Sequence, residues 1–345
     1  MFERQNLCFL KKLTHQRTGE EIDPLFLVNS TYVESMDLTG PKLMLTFKDH
    51  THYISKKLQL KEMDELSASI ADDWREEGEN ISESFVVLSA KKMPQDFIRV
   101  CAMAKPLYKL KQIADKTKIF SMRGISDILT FFANGLSVDL ASAFAIVENY
   151  HLIAGERPTT LLRQIAEEQG ADVWIARGKL HIQKFAEAFA KGTSHKFEYN
   201  RMDCGNPILS YSVPAAQLAL QESKVRIFTG WNAVKGRVKT STSNPLLSGV
   251  KSLPVQINGN PNPYTLGNAV VAAKPAVSFT TLGNLSVQTG QAISLLWHEP
   301  DPENPLNEDL PSKVVVQRVG HWFQGQKFYT KIEGAVPFES NQVLF

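Results

Sequence analysis

The feature that most constrains this chain is its last long stretch, Gly283 to Pro337, which reads GNLSVQTGQAISLLWHEPDPENPLNEDLPSKVVVQRVGHWFQGQKFYTKIEGAVP. Apolar and polar residues alternate, a proline- and acid-rich loop intervenes from Glu299 to Asp309, and two more alternating runs follow around Gln324-Gly325-Gln326. A period of two is what a strand with one buried face requires. Several such runs with short links predict the last strands of a small closed antiparallel barrel, since closure removes the free edges of a sheet. No spacing in this stretch belongs to catalysis, so function has to come from how a barrel is used.

The rest of the chain divides by pattern. From residue 1 to 104 it reads as β. Leu43, Leu45 and Phe47 alternate with Met44, Thr46 and Lys48, and Asp49-His50-Thr51 predicts a turn with Thr51 to Ser55 returning as hairpin partner. Leu66, Ala68 and Ile70 alternate with serines, which predicts a strand within Lys61 to Asp73. Glu76 to Asn80 reads as a polar turn, and Ser84 to Ala90 as another strand.

From 105 to 195 the pattern is mixed α/β. Ile125, Ile128, Leu129 and Phe132 have helical spacing within Phe120 to Asn134, and Gly135 follows. Pro158 opens a second helix carrying Leu161, Leu162, Ile165 and Ala166, which Gly170 closes. Val173 to Ile175, a tight Arg177-Gly178 turn and Leu180 to Ile182 predict a hairpin. From 196 to 345 the chain returns to β. Residues 241 to 282 read as a loop-rich insertion with one strand near Asn268 to Ala272. The expected class is α+β, mainly β: two tube-like antiparallel barrels, 1–104 and 196–345, flank an α/β unit at 105–195.

Charge narrows the function. The net charge of +2 over 345 residues excludes bulk attraction to a polyanion. The distribution is uneven. No Asp or Glu lies between Ser223 and His298, while Lys224, Arg226, Lys235, Arg237, Lys239, Lys251 and Lys274 do. Between Glu62 and Glu83 acids dominate, against Arg75 alone. Two readings stand: solvated faces, or complementary surfaces of one barrel and another. Cys8, Cys101 and Cys204 lie far apart, which argues against a disulfide framework or thiolate zinc site. The N-terminus lacks the apolar core of a signal peptide, and no stretch approaches the roughly 20 apolar residues of a membrane helix. An aqueous, cytosolic site of synthesis and no membrane insertion are expected.

Candidate chemistry is sparse. His50-Thr51-His52 places two imidazoles on one strand face without a third ligand. His298-Glu299 and His321 lack a spaced partner, and His321 suits a structural hydrogen bond within a strand. Gly230 to Gly236, GWNAVKG, lacks the Gly-Lys-Ser/Thr ending of a phosphate loop and reads as two turns around a strand. Glu167-Glu168, or the acids of 62–83, supply carboxylates for glycosidase chemistry only if a cleft sets their separation. Trp74, Trp174, Trp231, Trp297 and Trp322 are scattered, as core or interface anchors are. No catalytic, cofactor-binding or metal-ligating residue is assigned, and no cofactor is expected.

Two segments carry a resemblance. GERPTTLLRQIAEEQGADVWIARGKLHI at 155–182 resembles the central segment of contractile-tail baseplate hub proteins: a leucine-rich helix, a glycine, an aromatic strand, a glycine turn and a second strand. SKVVVQRVGHWFQGQKFYTKIEGAV at 312–336 is similar to that family's closing hairpin, and DLTGPKLMLTFKD at 37–49 with MDELSASIADDW at 63–74 to its first tube barrel. The superfamily includes late-control phage tail proteins and the N-terminal part of type VI secretion spike proteins. The resemblance implies a non-enzymatic homotrimeric ring. Its two barrels per subunit would adapt a hexameric tail tube to a trimeric central spike. Tail tube proteins, the spike protein and other baseplate proteins would be partners, and DNA would pass the lumen without specific binding. The expected place is the virion's tail baseplate, assembled in the host cytoplasm. A tail-associated cell-wall hydrolase and a carbohydrate- or nucleic-acid-binding β module are the alternatives. The acidic loop from Glu299 to Asp309 is the nearest acid-rich partner for the basic segment before it.

Overall fold

The computed structural model describes residues 9–72, 79–144, 148–214, 227–232, 236–241, 254–256, 273–300, 306–324 and 327–337. The N-terminal part contains β1 (Leu10–His15), β2 (Glu20–Glu21), β3 (Leu27–Ser35), β4 (Lys42–Lys48), β5 (Glu65–Ala71), β6 (Asn80–Met93) and β7 (Phe97–Ala104). The middle contains α1 (Lys105–Leu110), β8 (Lys118–Arg123), α2 (Ile125–Ala133), β9 (Ser137–Leu140), β10 (Glu148–Leu152), α3 (Pro158–Gln169), β11 (Ala171–Ala176), β12 (Lys179–Lys184) and α4 (Phe185–Ala190). The C-terminal part contains β13 (His195–Tyr199), β14 (Pro207–Ser212), β15 (Ile227–Asn232), β16 (Gly236–Ser241), β17 (Pro254–Gln256), β18 (Ala273–Leu282), β19 (Ala292–Trp297), β20 (Lys313–Gln324) and β21 (Lys327–Pro337). The α+β, mainly β class is the observed one.

Six strands close a barrel in the order β19-β13-β14-β18-β21-β20, with β20 pairing back onto β19. The same hydrogen-bonded sheet continues from β20 through β3-β4-β7-β6-β5-β1-β2. The switch happens within one strand. Residues Lys313 to Val315 of β20 pair with β19, and Arg318 to Gln324 pair with β3. A bulge between Val316 and Arg318 separates the two runs, and a bulge is the local bend that re-aims a strand. The terminal hairpin therefore serves both β regions. Phe328, near its tip, packs in the N-terminal core with its ring 4.8 Å from that of Phe9.

Side chains follow the pleat. Leu43, Leu45 and Phe47 of β4 are fully buried, as are Leu66 and Ile70 of β5. Val314, Val315 and Val316 break the alternation because both faces of β20 are covered there. Val314 and Val316 point into the barrel, and Val315 packs outside it with Trp174, Phe185 and Ala188. In α3, Pro158 stands in the first turn, where its missing N–H costs nothing. Leu162 and Ile165 are buried, and Gly170 takes the left-handed conformation that ends the helix.

Several expectations change. Thr51 to Ser55 does not return as a strand. Tyr53–Lys57 forms one wide helical turn instead, because the Asp49 carboxylate accepts the N–H groups of Ile54 and Ser55 at 2.8 and 3.0 Å. The helix expected within Phe120 to Asn134 begins only at Ile125, since the residues before Gly124 pair as β8 with β10. The barrel has one strand, β13, that runs parallel to both neighbours, as its entry by way of α4 rather than a hairpin allows. The described parts of the expected loop-rich insertion are strand: Pro254–Gln256 pairs with β15, and the insertion's last ten residues belong to the barrel. Ala273–Leu282 is a barrel strand whose Val277, Phe279 and Thr281 face inward, and Pro275, which masks the pattern, sits at a bulge. The strand expected near Asn268 to Ala272 lies outside the described residues. Of Gly230 to Gly236, expected as two turns around a strand, residues 230–232 end β15 and Gly236 starts β16, which pairs antiparallel with it, and residues 233–235 lie outside the described residues.

Candidate functional site

Among the described residues, buried charge gathers where the N-terminal, middle and C-terminal parts meet. The β11–β12 hairpin turns at Arg177 and Gly178, with φ of 50° and 73°, the left-handed pair that a two-residue hairpin turn demands. This turn aims Arg177 at the seam between the two β regions. Its Nε donates to Glu34 Oε1 of β3 at 2.9 Å. Its Nη2 donates to the carbonyl oxygens of Leu285 and Val287, ahead of β19. Nη1 lies 3.9 Å from Glu79 Oε2. One guanidinium thus ties the α/β hairpin to the N-terminal sheet and to the barrel. The planar fork of arginine suits several acceptors in fixed directions, which a lysine ammonium does not.

Acids and aromatics surround this contact. Glu34 is fully buried, and its Oε2 has no hydrogen-bond partner. Glu83 of β6 turns its carboxyl inward and accepts from the Tyr32 hydroxyl at 3.3 Å. Burial first, and then the neighbouring Glu34, push the Glu83 carboxyl up to about 7, with Tyr32 and Arg177 opposing. Burial, followed by Glu83 and Glu34, holds the Tyr32 phenol well above its usual range. His321 lies stacked on Tyr32 at 6.4 Å and exchanges a hydrogen bond with Thr330 Oγ1 at 3.0 Å. Burial, then Arg177, hold it well below the usual histidine range, so it is neutral. A second tie crosses nearby, where Asp72 Oδ2 accepts the Leu285 N–H at 3.2 Å.

This arrangement holds rather than reacts. Glu34 has no exposed side-chain surface and Arg177 only 12%, so a substrate has no access to either. Charges taken out of water are costly unless paired, and removing one partner strands the other. The geometry therefore penalises any displacement of the hairpin from the seam.

The acids of 62–83 are not one acidic face. Asp64 and Asp72 are buried, and the carboxyl of Glu83 is turned inward. Asp64 accepts from Arg17 Nε at 3.0 Å, the Lys61 N–H at 3.1 Å and His15 at 3.1 Å. Burial works against ionisation there, and these three partners still hold the carboxyl below its usual range. Asp73, Trp74, Arg75, Glu76, Glu77 and Gly78 lie outside the described residues.

The remaining candidates disperse. Glu167 is exposed and Glu168 buried, with the Tyr150 hydroxyl donating to it at 2.7 Å, so the two carboxylates face apart. His52 has a left-handed backbone and belongs to a turn, not a strand face. His298 meets Glu198 at 2.7 Å. His321 makes the in-strand hydrogen bond its position suggests. Trp174 and Trp297 are buried, and Trp322 is partly buried. Among the described residues no cluster of three His, Cys, Asp or Glu side chains has metal-binding geometry. Lys224, Arg226, Lys235 and Lys251 lie outside the described residues. Sequence reasoning missed Arg177, Glu34 and Tyr32. The only signal was a charged residue in a tight turn, with partners up to 143 positions away.

No protein-family model and no curated protein matches the sequence. Solved structures do match along nearly the whole chain. A tail protein from Neisseria meningitidis MC58 superposes with a TM-score of 0.62 at 9% identity, over 94% of this chain and 95% of that one. The 43 kDa tail protein of prophage MuSo2 from Shewanella oneidensis gives 0.63 at 11% identity, over 94% and 96%. A component of the E. coli type VI secretion system, described as structurally similar to the T4 tail proteins gp27 and gp5, gives 0.50 at 10% identity, over 91% and 74%. The chain shares the fold of these tail proteins and of the type VI secretion component.

Proposed function

We propose that this protein is a structural hub of a contractile-tail baseplate, in a phage or phage-like particle. The observation that carries the reading is the end-to-end match to whole tail proteins, in which 94% of this chain covers 95–96% of theirs. The organisation 1–104, 105–195 and 196–345 is read as two tube-type β units joined through an α/β unit, with the Arg177 seam as the joint. Three copies, with two β units each, would form a ring of about sixfold outline. Such a ring adapts a hexameric tube above to a trimeric spike below and leaves a lumen for DNA. The chain acts by shape rather than catalysis, and its place is the virion tail, assembled in the host cytoplasm. Tail tube, central spike and other baseplate proteins are its proposed partners.

The test is the mass and outline of the purified chain. Light scattering should give three copies, and negative-stain images a ring with a central opening. A monomer at every concentration, which also fails to associate with tube or spike proteins, overturns the reading. Clearing of peptidoglycan by the pure chain overturns its non-enzymatic part.

A further inference from the structure

A groove opens in the middle part of the chain. It has a volume of about 250 Å³ and an apolar floor that includes Leu110, Phe131 and Leu152. Lys109, Lys116 and Lys118 stand around it. None of the three lysines has a carboxylate partner among the described residues, and the Lys118 ammonium lies 5.0 Å from the centre of the Phe131 ring. Phe131 is 51% exposed beside the buried Leu110 and Leu152, so the groove sets apolar surface inside a cationic rim.

Further charged residues flank the lining residues in sequence: Lys111 and Arg157, with Asp115 and Glu156 as the acids. Lys111 is held below the usual lysine range by burial first, then by Lys42 and Arg163, with Arg157 adding and Asp37 opposing. Arg157 directly precedes Pro158, another lining residue. The complementary segment within this chain is Glu299 to Asp309. It carries Glu299, Asp301, Glu303, Glu308 and Asp309 and no Lys or Arg. Its Leu306 is 42% exposed, and its base is fixed to the end of β19 by the Asn307 N–H to the Trp297 carbonyl at 2.9 Å.

We infer that the lysine-rimmed groove receives the acidic segment 299–309 of a second copy, with Leu306 as the apolar anchor and its acids on Lys109, Lys116 and Lys118. This rests on the ring reading, which brings copies side by side, and it names which surfaces meet. Opposite charges steer such an encounter, and the apolar anchor supplies affinity that salt does not screen.

The experiment uses the full chain, in which each groove is already filled by a neighbouring copy, and reads the assembly by light scattering and sedimentation. The wild-type chain should form a trimer that loosens as salt rises. The K109E/K116E/K118E chain, with unchanged circular dichroism and Tm, should dissociate at concentrations about tenfold higher than wild type or more. Leu306→Ser should lose a comparable factor. Adding E299K/E308K/D309K to the triple variant exchanges the charges and should restore much of the assembly. A trimer unchanged by the triple variant or by Leu306→Ser, no restoration by the charge exchange, or a loss that follows R237E/K239E instead overturns the inference and leaves the ring. A wild-type monomer sinks the ring reading and the second-copy assignment with it.

Discussion

Arg177 and Glu34 are 143 residues apart in sequence and 2.9 Å apart in space, with Glu34 wholly buried. Replacing Arg177 with Met leaves the Glu34 carboxylate without its cation, at a cost of about 3–5 kcal/mol. The double variant R177M/E34Q should recover a large part of that loss, because no isolated charge remains. Urea unfolding of the two single variants and the double variant measures the coupling. A cost below about 0.5 kcal/mol for R177M means the pair contributes nothing to the seam.

Glu83 gives the seam a pH dependence whose sign is fixed. Its folded value, about 7, lies above the ordinary 4.5, because burial and Glu34 disfavour the charged form. The folded chain therefore binds more protons than the unfolded chain between these values. Stability from this group is fully present below about pH 4.5 and is lost as pH rises through 7, with a slope of up to about 1.4 kcal/mol per pH unit. Asp172, raised to about 7 by burial and then Asp37, adds a slope of the same sign. The Glu83→Gln chain should gain stability over wild type from pH 5 to about 7 and then hold that lead to pH 8 in thermal melts. Parallel curves for the two chains contradict the assignment.

Much of the fold was legible before the structure, and the reason is local. Helix α3 announced itself through Pro158, its apolar face and Gly170, and β4 through strict alternation, because these signals need only neighbouring residues. The seam was not legible, since Arg177 meets Glu34, Leu285 and Val287 only once three distant segments have packed. The acids near Asp64 and Glu83 misled for the same reason. A run of charges predicts a solvated face unless partners such as Arg17 and Tyr32 arrive from elsewhere. The wide turn at Tyr53–Lys57 hid because its organiser is the carboxylate of Asp49, not a periodicity.

Gly290 separates packing from backbone freedom. Its φ is +82°, and a Cβ there would come within 2.7 Å of the Trp174 ring. Gly155 has φ +93° with open space around it. Gly155→Ala should cost about 1 kcal/mol, the penalty of a left-handed backbone alone. Gly290→Ala should cost about 1–3 kcal/mol more, since the indole must shift in a packed core. Chemical denaturation of both variants compares them, and Trp174 fluorescence should change only for G290A. Equal costs mean that the contact between Trp174 and the barrel is slack.

The shared strand predicts how the molecule comes apart. Because β20 pairs with β19 at one end and β3 at the other, neither β region keeps a complete sheet if the terminal hairpin leaves. Phe328 fastens that hairpin to the N-terminal core, where it is 8% exposed and touches Phe9. Phe328→Ala should therefore cost about 3–5 kcal/mol, the usual range for emptying a core aromatic site. It should also lower the unfolding midpoint of both β regions together. A reporter in each region makes the distinction: Trp297 fluorescence for the barrel, with the other four tryptophans replaced by Phe, and a dye on Cys101, with Cys8 and Cys204 replaced by Ser, for the N-terminal sheet. Coincident transitions before and after the substitution are expected of a single cooperative sheet. Two separated transitions in the wild-type chain, or a Phe328→Ala effect confined to the Cys101 signal, would show that the β regions fold independently despite the strand they share.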